Sequence, residues 1–202
     1  MIFRLLNYLS GSVGLLGSHL WKFEARLKGI HLKGAVTFQG RAVLSRDPGA
    51  TLEIGADTRV HSSLLSNPIT CPSPCVLRAM GAGSVLRIGP RVGLSAAVVV
   101  AAKRVEIGAD TLVGSGALIA DNDFHSPGVD GAWGALDINT ARPVTIGCRV
   151  FVGARAIILK GVVIGDDCII GAGSVVTKSV PAGSIAFGNP AIFRPRRKIN
   201  SN

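Results

Sequence analysis

A large aliphatic residue recurs at every sixth position in the C-terminal part of the chain: Ile146, Val152, Ile158, Ile164, Ile170 and Val176. The residue that follows is Gly147, Gly153, Leu159, Gly165, Gly171 or Thr177, and four residues on comes Val150, Ala156, Val162, Cys168, Ser174 or Val180, each small or β-branched. Neither the 3.6-residue period of a helix nor the two-residue alternation of an ordinary strand gives this register. The same phase appears upstream in Ile88, Leu94 and Val100, in Ile107, Val113 and Ile119 after a one-residue insertion, and more faintly in Ile54 and Val60. Six-residue units make physical sense as the flat sides of a triangular coil, with the aliphatic directed to the axis and the small residue at the corner. Three units complete a turn, and successive turns stack at a strand-pairing distance of roughly 4.8 Å. The period therefore predicts an all-β parallel β-helix of hexapeptide repeats over 34–187, with Ser66 to Ala82 and Asp121 to Arg142 projecting as loops.

Composition agrees where the coil makes demands on it. Sharp corners need left-handed backbone and a narrow interior needs small side chains, and the chain has 26 glycines and only 5% aromatic residues within a 48% hydrophobic share. Ahead of the coil, Leu5 to Trp21 lacks Lys, Arg, Asp and Glu but is interrupted by Asn7, Ser10, Gly11, Ser12, Gly14, Gly17, Ser18 and His19. That pattern fits neither a spanning helix nor a cleaved leader. Leu16, Leu20, Phe23 and Leu27 recur at helical spacing with Lys22, Arg26 and Lys28 beside them, so 1–33 reads as a short amphipathic segment. It either caps one end of the domain or lies on an anionic membrane face.

The formal charge of +10 points to anionic partners. The few aromatics are scattered and not interleaved with the basic residues, which speaks against a nucleic-acid surface. Cys71 and Cys75 flank a Pro-Ser-Pro turn with no histidine at zinc-binding spacing, and Cys168 falls in an inward slot. Reduced thiols in a cytoplasmic protein, associated at most with the inner face of the membrane, are expected.

The repeat, together with Val150-Phe151-Val152-Gly153-Ala154, the run Ile164 to Lys178 and the closing Gly188-Asn189-Pro190-Ala191, resembles the hexapeptide-repeat acyltransferases. Among these it looks most like the sugar O-acetyltransferases acting on maltose, galactosides, nodulation factors and surface polysaccharides. The resemblance implies a left-handed coil, a homotrimer, acetyl-CoA as co-substrate, no metal, and a sugar or glycan acceptor. The catalytic histidine it implies is His125, in the loop Asp121-Asn122-Asp123-Phe124-His125-Ser126-Pro127. A histidine suits the task because a hydroxyl becomes a good nucleophile only as its proton is removed near neutral pH. Asp123 is the expected orienting carboxylate. By position, the amide of Ala154 would face the thioester, and Ala172, Thr177 and Lys178 would contact CoA. The basic tail 188–202 departs from the family in carrying Ile192 where arginine is frequent, with Arg194 as its substitute.

Three alternatives stay open at this point. The acceptor group is an amine in place of a hydroxyl, making the chain an N-acyltransferase; or the coil serves a metal-dependent hydratase or a scaffold trimer; or Asp121 and Asp123 bind a metal. Trp133 and Asp137 are candidates for acceptor contact, because an aromatic face and a carboxylate suit sugars.

Overall fold

The computed structural model describes residues 17–196 apart from 64, 65, 67, 68, 70–72 and 129. The chain winds as a left-handed parallel β-helix with three flat faces. The first face has six strands, among them Thr51–Ile54, Arg104–Ile107 and Val144–Ile146; the second has eight, including Leu112–Val113, Phe151–Val152 and Ile169–Ile170; the third has six, including Val98–Ala101, Leu118–Ala120 and Ile157–Ile158. All six aliphatics from Ile146 to Val176 are buried and stack on the next coil in register, Ile146 on Ile164, Val152 on Ile170 and Ile158 on Val176. Like side chains packed over like side chains supply most of the apolar burial. At the corner after the second face close approach leaves no room for a side chain: a Cβ on Gly153 would lie 2.5 Å from the backbone nitrogen of Ala172.

The phase departs from expectation in one place. Val99, not Val100, stacks on Ile119, because the corner between Leu94 and Val99 is one residue shorter than its counterparts and turns through Ala96 at a φ of 44°. The first excursion is also shorter than the sequence suggested. Cys75 returns to the corner slot filled by Ala97 and Ala117 in the next coils, and Val76–Ala79 is a regular strand of the third face with Leu77 buried. Cys75 is thus a core residue and not part of a turn, while Cys71 lies outside the described residues. Cys168 is buried as expected. The second excursion, between Asp121 and Arg142, carries a hairpin of His125–Pro127 and Trp133–Leu136.

The outer surfaces of the faces differ. The first bears a charged ladder in which Lys33 pairs with Glu53 at 2.7 Å and Arg87 with Glu106 at 2.7 Å. The third bears an aliphatic ladder, Val43, Val76, Val98, Leu118, Ile157 and Val175, each in register with the next. The corner from first to second face turns at positive φ through Asp57, Arg91, Asp110, Arg149 and Asp167 in successive coils. Charge alternates along it, and Arg91 grips Asp110 at 2.6 and 2.7 Å while Arg149 grips Asp167 at 2.7 and 2.8 Å, both bidentate.

A helix through 17–27 closes the N-terminal end, but not by the apolar stripe that the sequence singled out. Ser18 and Ala25 face the coil, and the Ser18 hydroxyl accepts a hydrogen bond from the Phe38 amide at 3.1 Å. Leu20, Phe23 and Leu27 point away, at 56%, 59% and 73% exposure; Leu16 lies outside the described residues. Glu24 fastens the helix by accepting hydrogen bonds from Lys28 and Arg41, which hold its carboxyl down to about 2. At the other end, Ala191–Pro195 is not a free tail: it folds back as a strand antiparallel to Ser184–Gly188. The two strands pair with Ile192 opposite Phe187 and Phe193 opposite Ala186, and both Ile192 and Phe193 stay exposed. Arg197 and Lys198 lie outside the described residues.

Candidate active site

The excursion is anchored by a buried carboxylate. Asp121 ends the strand on the third face and accepts hydrogen bonds from the backbone amides of Ala102, Lys103 and Arg104, all at 2.7 Å, and from the side-chain amide of Asn122 at 3.1 Å. Asn122 in turn accepts from the Phe124 amide at 2.9 Å. The chain returns where the Arg142 amide donates to the Asp121 carbonyl at 2.8 Å. With its oxygens so engaged, Asp121 is a structural anchor, which removes it from the metal pair weighed above; among the described residues no group of His, Cys, Asp and Glu is arranged to hold a metal ion.

Phe124, at a φ of 67°, swings the chain outward, and His125 follows on the exposed hairpin. Its Nδ1 lies 3.0 Å from the carbonyl oxygen of Gly134 on the opposite strand. A carbonyl only accepts, so Nδ1 carries a hydrogen, and in the neutral ring Nε2 is then the nitrogen with the lone pair. The ring nitrogen thus meets a main-chain carbonyl and not the expected Asp123. The Asp123 carboxylate is instead drawn to the ammonium of Lys160, on the coil directly below. Lys160 escaped the sequence reading, although it stands one 18-residue coil from Lys178, as their register neighbours Ile158 and Val176 show. Lys160 is half-buried, while Lys178, one coil further on, is exposed, as is Thr177 beside it.

Ala154 and Ala172 stack at the corner between second and third faces, where the Gly173 amide donates to the Ala154 carbonyl at 2.9 Å. The Ala154 N–H makes no backbone hydrogen bond among the described residues. It is thus an available donor, as is the equivalent amide of Ala172. Within the chain this corner and the His125 hairpin stand at opposite edges of the third face, and the structure does not bring them together. Arg194 is exposed on the terminal hairpin, its guanidinium 5.6 Å from the Phe187 ring centre.

Of the acceptor candidates, Trp133 is 76% exposed on the strand that also supplies the Gly134 carbonyl. Asp137 accepts from the Ser126 hydroxyl at 2.8 Å and the Asn139 amide at 2.9 Å, which lowers its pKa. His61 sits in a second-face strand, where burial, with Arg59 adding to it, depresses its basicity. Its side chain is no rival to the exposed His125.

Residues 143–178 match the family described as the hexapeptide repeat of succinyl-transferase. Galactoside O-acetyltransferase of Escherichia coli is 48% identical over 58 residues, which are 29% of this chain and 28% of that protein. The chain spans under a third of the length of the curated relatives it matches. Two solved structures resemble it in fold. AntD, an N-acyltransferase from Bacillus cereus in complex with dTDP and 3-hydroxybutyryl-CoA, has a TM-score of 0.62 at 19% identity and covers 88% of both chains. PerB from Caulobacter crescentus, in complex with CoA and GDP-perosamine, has a TM-score of 0.51 at 23% identity, covering 90% of this chain and 66% of the other.

Proposed function

We propose that this chain, whose residues 143–178 match the hexapeptide-repeat family, is an acyltransferase that moves an acetyl group from acetyl-CoA to a hydroxyl of a sugar or polysaccharide precursor, with His125 as general base. The observation that carries this reading is the Nδ1 contact with Gly134, which leaves Nε2 as a base on an exposed hairpin. Nε2 takes the acceptor proton as the oxygen attacks the thioester carbonyl, and the oxyanion that forms is held by the Ala154 N–H. Collapse breaks the carbon–sulfur bond, and the departing thiolate recovers the proton from the imidazolium. The products are the acetyl ester and free CoA, with no covalent enzyme intermediate.

Because His125 and Ala154 stand at opposite edges of one face, a full site is built when the hairpin of one copy meets the Ala154 corner of another. A homotrimer supplies that arrangement, and the aliphatic ladder of the third face gives it an apolar surface to close. Thr177, Lys178 and Arg194 then offer donors and positive charge for CoA phosphates.

A second reading is transfer to the amine of a nucleotide-linked amino sugar. It is favoured by the fold likeness to AntD, called an N-acyltransferase, and to PerB, bound to GDP-perosamine. Thiol release from acetyl-CoA, measured over neutral sugars, amino sugars and their nucleotide-linked forms, decides between them. Turnover confined to amine-bearing acceptors overturns the hydroxyl reading, and no release with any acceptor overturns acyl transfer.

A further inference from the structure

The N-terminal helix has two apolar sides, and the coil uses only one. Ser18 and Ala25 meet the coil, while Leu20, Phe23 and Leu27 form a stripe on the opposite side at three- and four-residue spacing, all more than half exposed. The sides of this stripe are basic. Arg26 borders it, and the half-buried Lys22 lies one step further toward the coil, both without an acidic partner among the described residues. On the other border Glu24 is matched by both Lys28 and Arg41, leaving an excess of positive charge there too. No helix among the described residues is long and apolar enough to cross a membrane, and residues 1–16, which lead into this one, carry a single charged side chain, Arg4.

We infer that the Leu20–Phe23–Leu27 stripe docks on an anionic lipid surface, with the helix lying in the plane of the headgroups and the coil standing away from it. Charge complementarity selects this occupant. An apolar strip flanked by excess positive charge gains from inserting below anionic headgroups, because long cationic side chains can then reach the level of the phosphates. A neutral apolar partner would leave Lys22 and Arg26 unmatched. The inference stands apart from the proposed chemistry, since it uses no residue of the His125 hairpin. It would place that hairpin a few coil heights from the surface, a position suited to a lipid-linked glycan.

The test is flotation of the full chain with vesicles of phosphatidylcholine alone and of phosphatidylcholine mixed with phosphatidylglycerol. The chain should float with the anionic vesicles and less so as salt is raised. Leu20→Gln, Phe23→Gln and Leu27→Gln together should reduce that binding by about tenfold or more, and Lys22→Gln with Arg26→Gln should weaken it several-fold. Both variants should keep the parent's melting temperature and its turnover on a water-soluble acceptor, so a failure here is distinct from a failure of the acyltransfer reading. Undiminished flotation of the triple variant overturns the inference, as does equal binding to neutral vesicles. A smaller particle in size-exclusion chromatography for the triple variant would assign the stripe to contact between copies, and loss of flotation only on deleting residues 2–16 would assign the anchor to that segment.

Discussion

The coil and the hairpin that leaves it obey different rules. In the coil from Val144 to Val176 each residue is placed by the one a turn away, so that Ile146, Val152 and Ile158 lie over Ile164, Ile170 and Val176. In the excursion nothing repeats, and the position of His125 depends on a few unique contacts: the Asp121 anchor, the Phe124 turn and the Gly134 carbonyl. A periodic scaffold thus stores stability, and the aperiodic insertion carries the side chains to which the proposed chemistry is assigned, as loops on rigid frames often do.

Variants that affect one side and spare the other sharpen this contrast. The largest effect belongs to the hairpin. His125→Ala should lower turnover by about 10²–10⁴-fold and leave the melting curve unmoved, as steady-state thiol release beside a thermal melt will show. In the coil the order reverses. Ile158→Ala leaves a cavity beneath a stacked ladder and should cost about 2–5 kcal/mol of stability, read by denaturant unfolding, with little loss of turnover per folded molecule. At the junction, Asp121→Asn turns an amide toward backbone N–H donors; a cost of about 1–3 kcal/mol and a reduced rate should appear together. A variant that lost one without the other would separate anchor from catalysis. The smallest effect falls on the corner ladder. Arg149→Ala removes an exposed bidentate pair and should cost about 0.2–1 kcal/mol, fading with added salt.

The same contrast governs what could be read from the letters. The sixfold register located the core because a repeated slot declares itself without tertiary information. It failed at Val100 because a corner lost one residue, and at Cys75 because the preceding excursion erased the phase. His125 could be named from its loop, but its partner could not, since a main-chain carbonyl has no letter and the nearby Asp123 was the obvious carboxylate. Lys160 was within reach: it lies one coil from Lys178, and a search at the full-turn period in place of the hexad would have paired them. The helix failed differently. Its pattern identified an amphipathic segment correctly, yet sequence alone gave no reason to expect that small residues, Ser18 and Ala25, would take the inner side.

The clamp at the mouth of the excursion has a consequence for replacing what lies between its ends. Asp121 is tied to the preceding coil through three amides, and Arg142 closes back on it at 2.8 Å. Entry and exit are thereby fixed independently of whatever is threaded between them. A ribbon of different length or sequence threaded between the same two ends would leave the coil beneath it undisturbed.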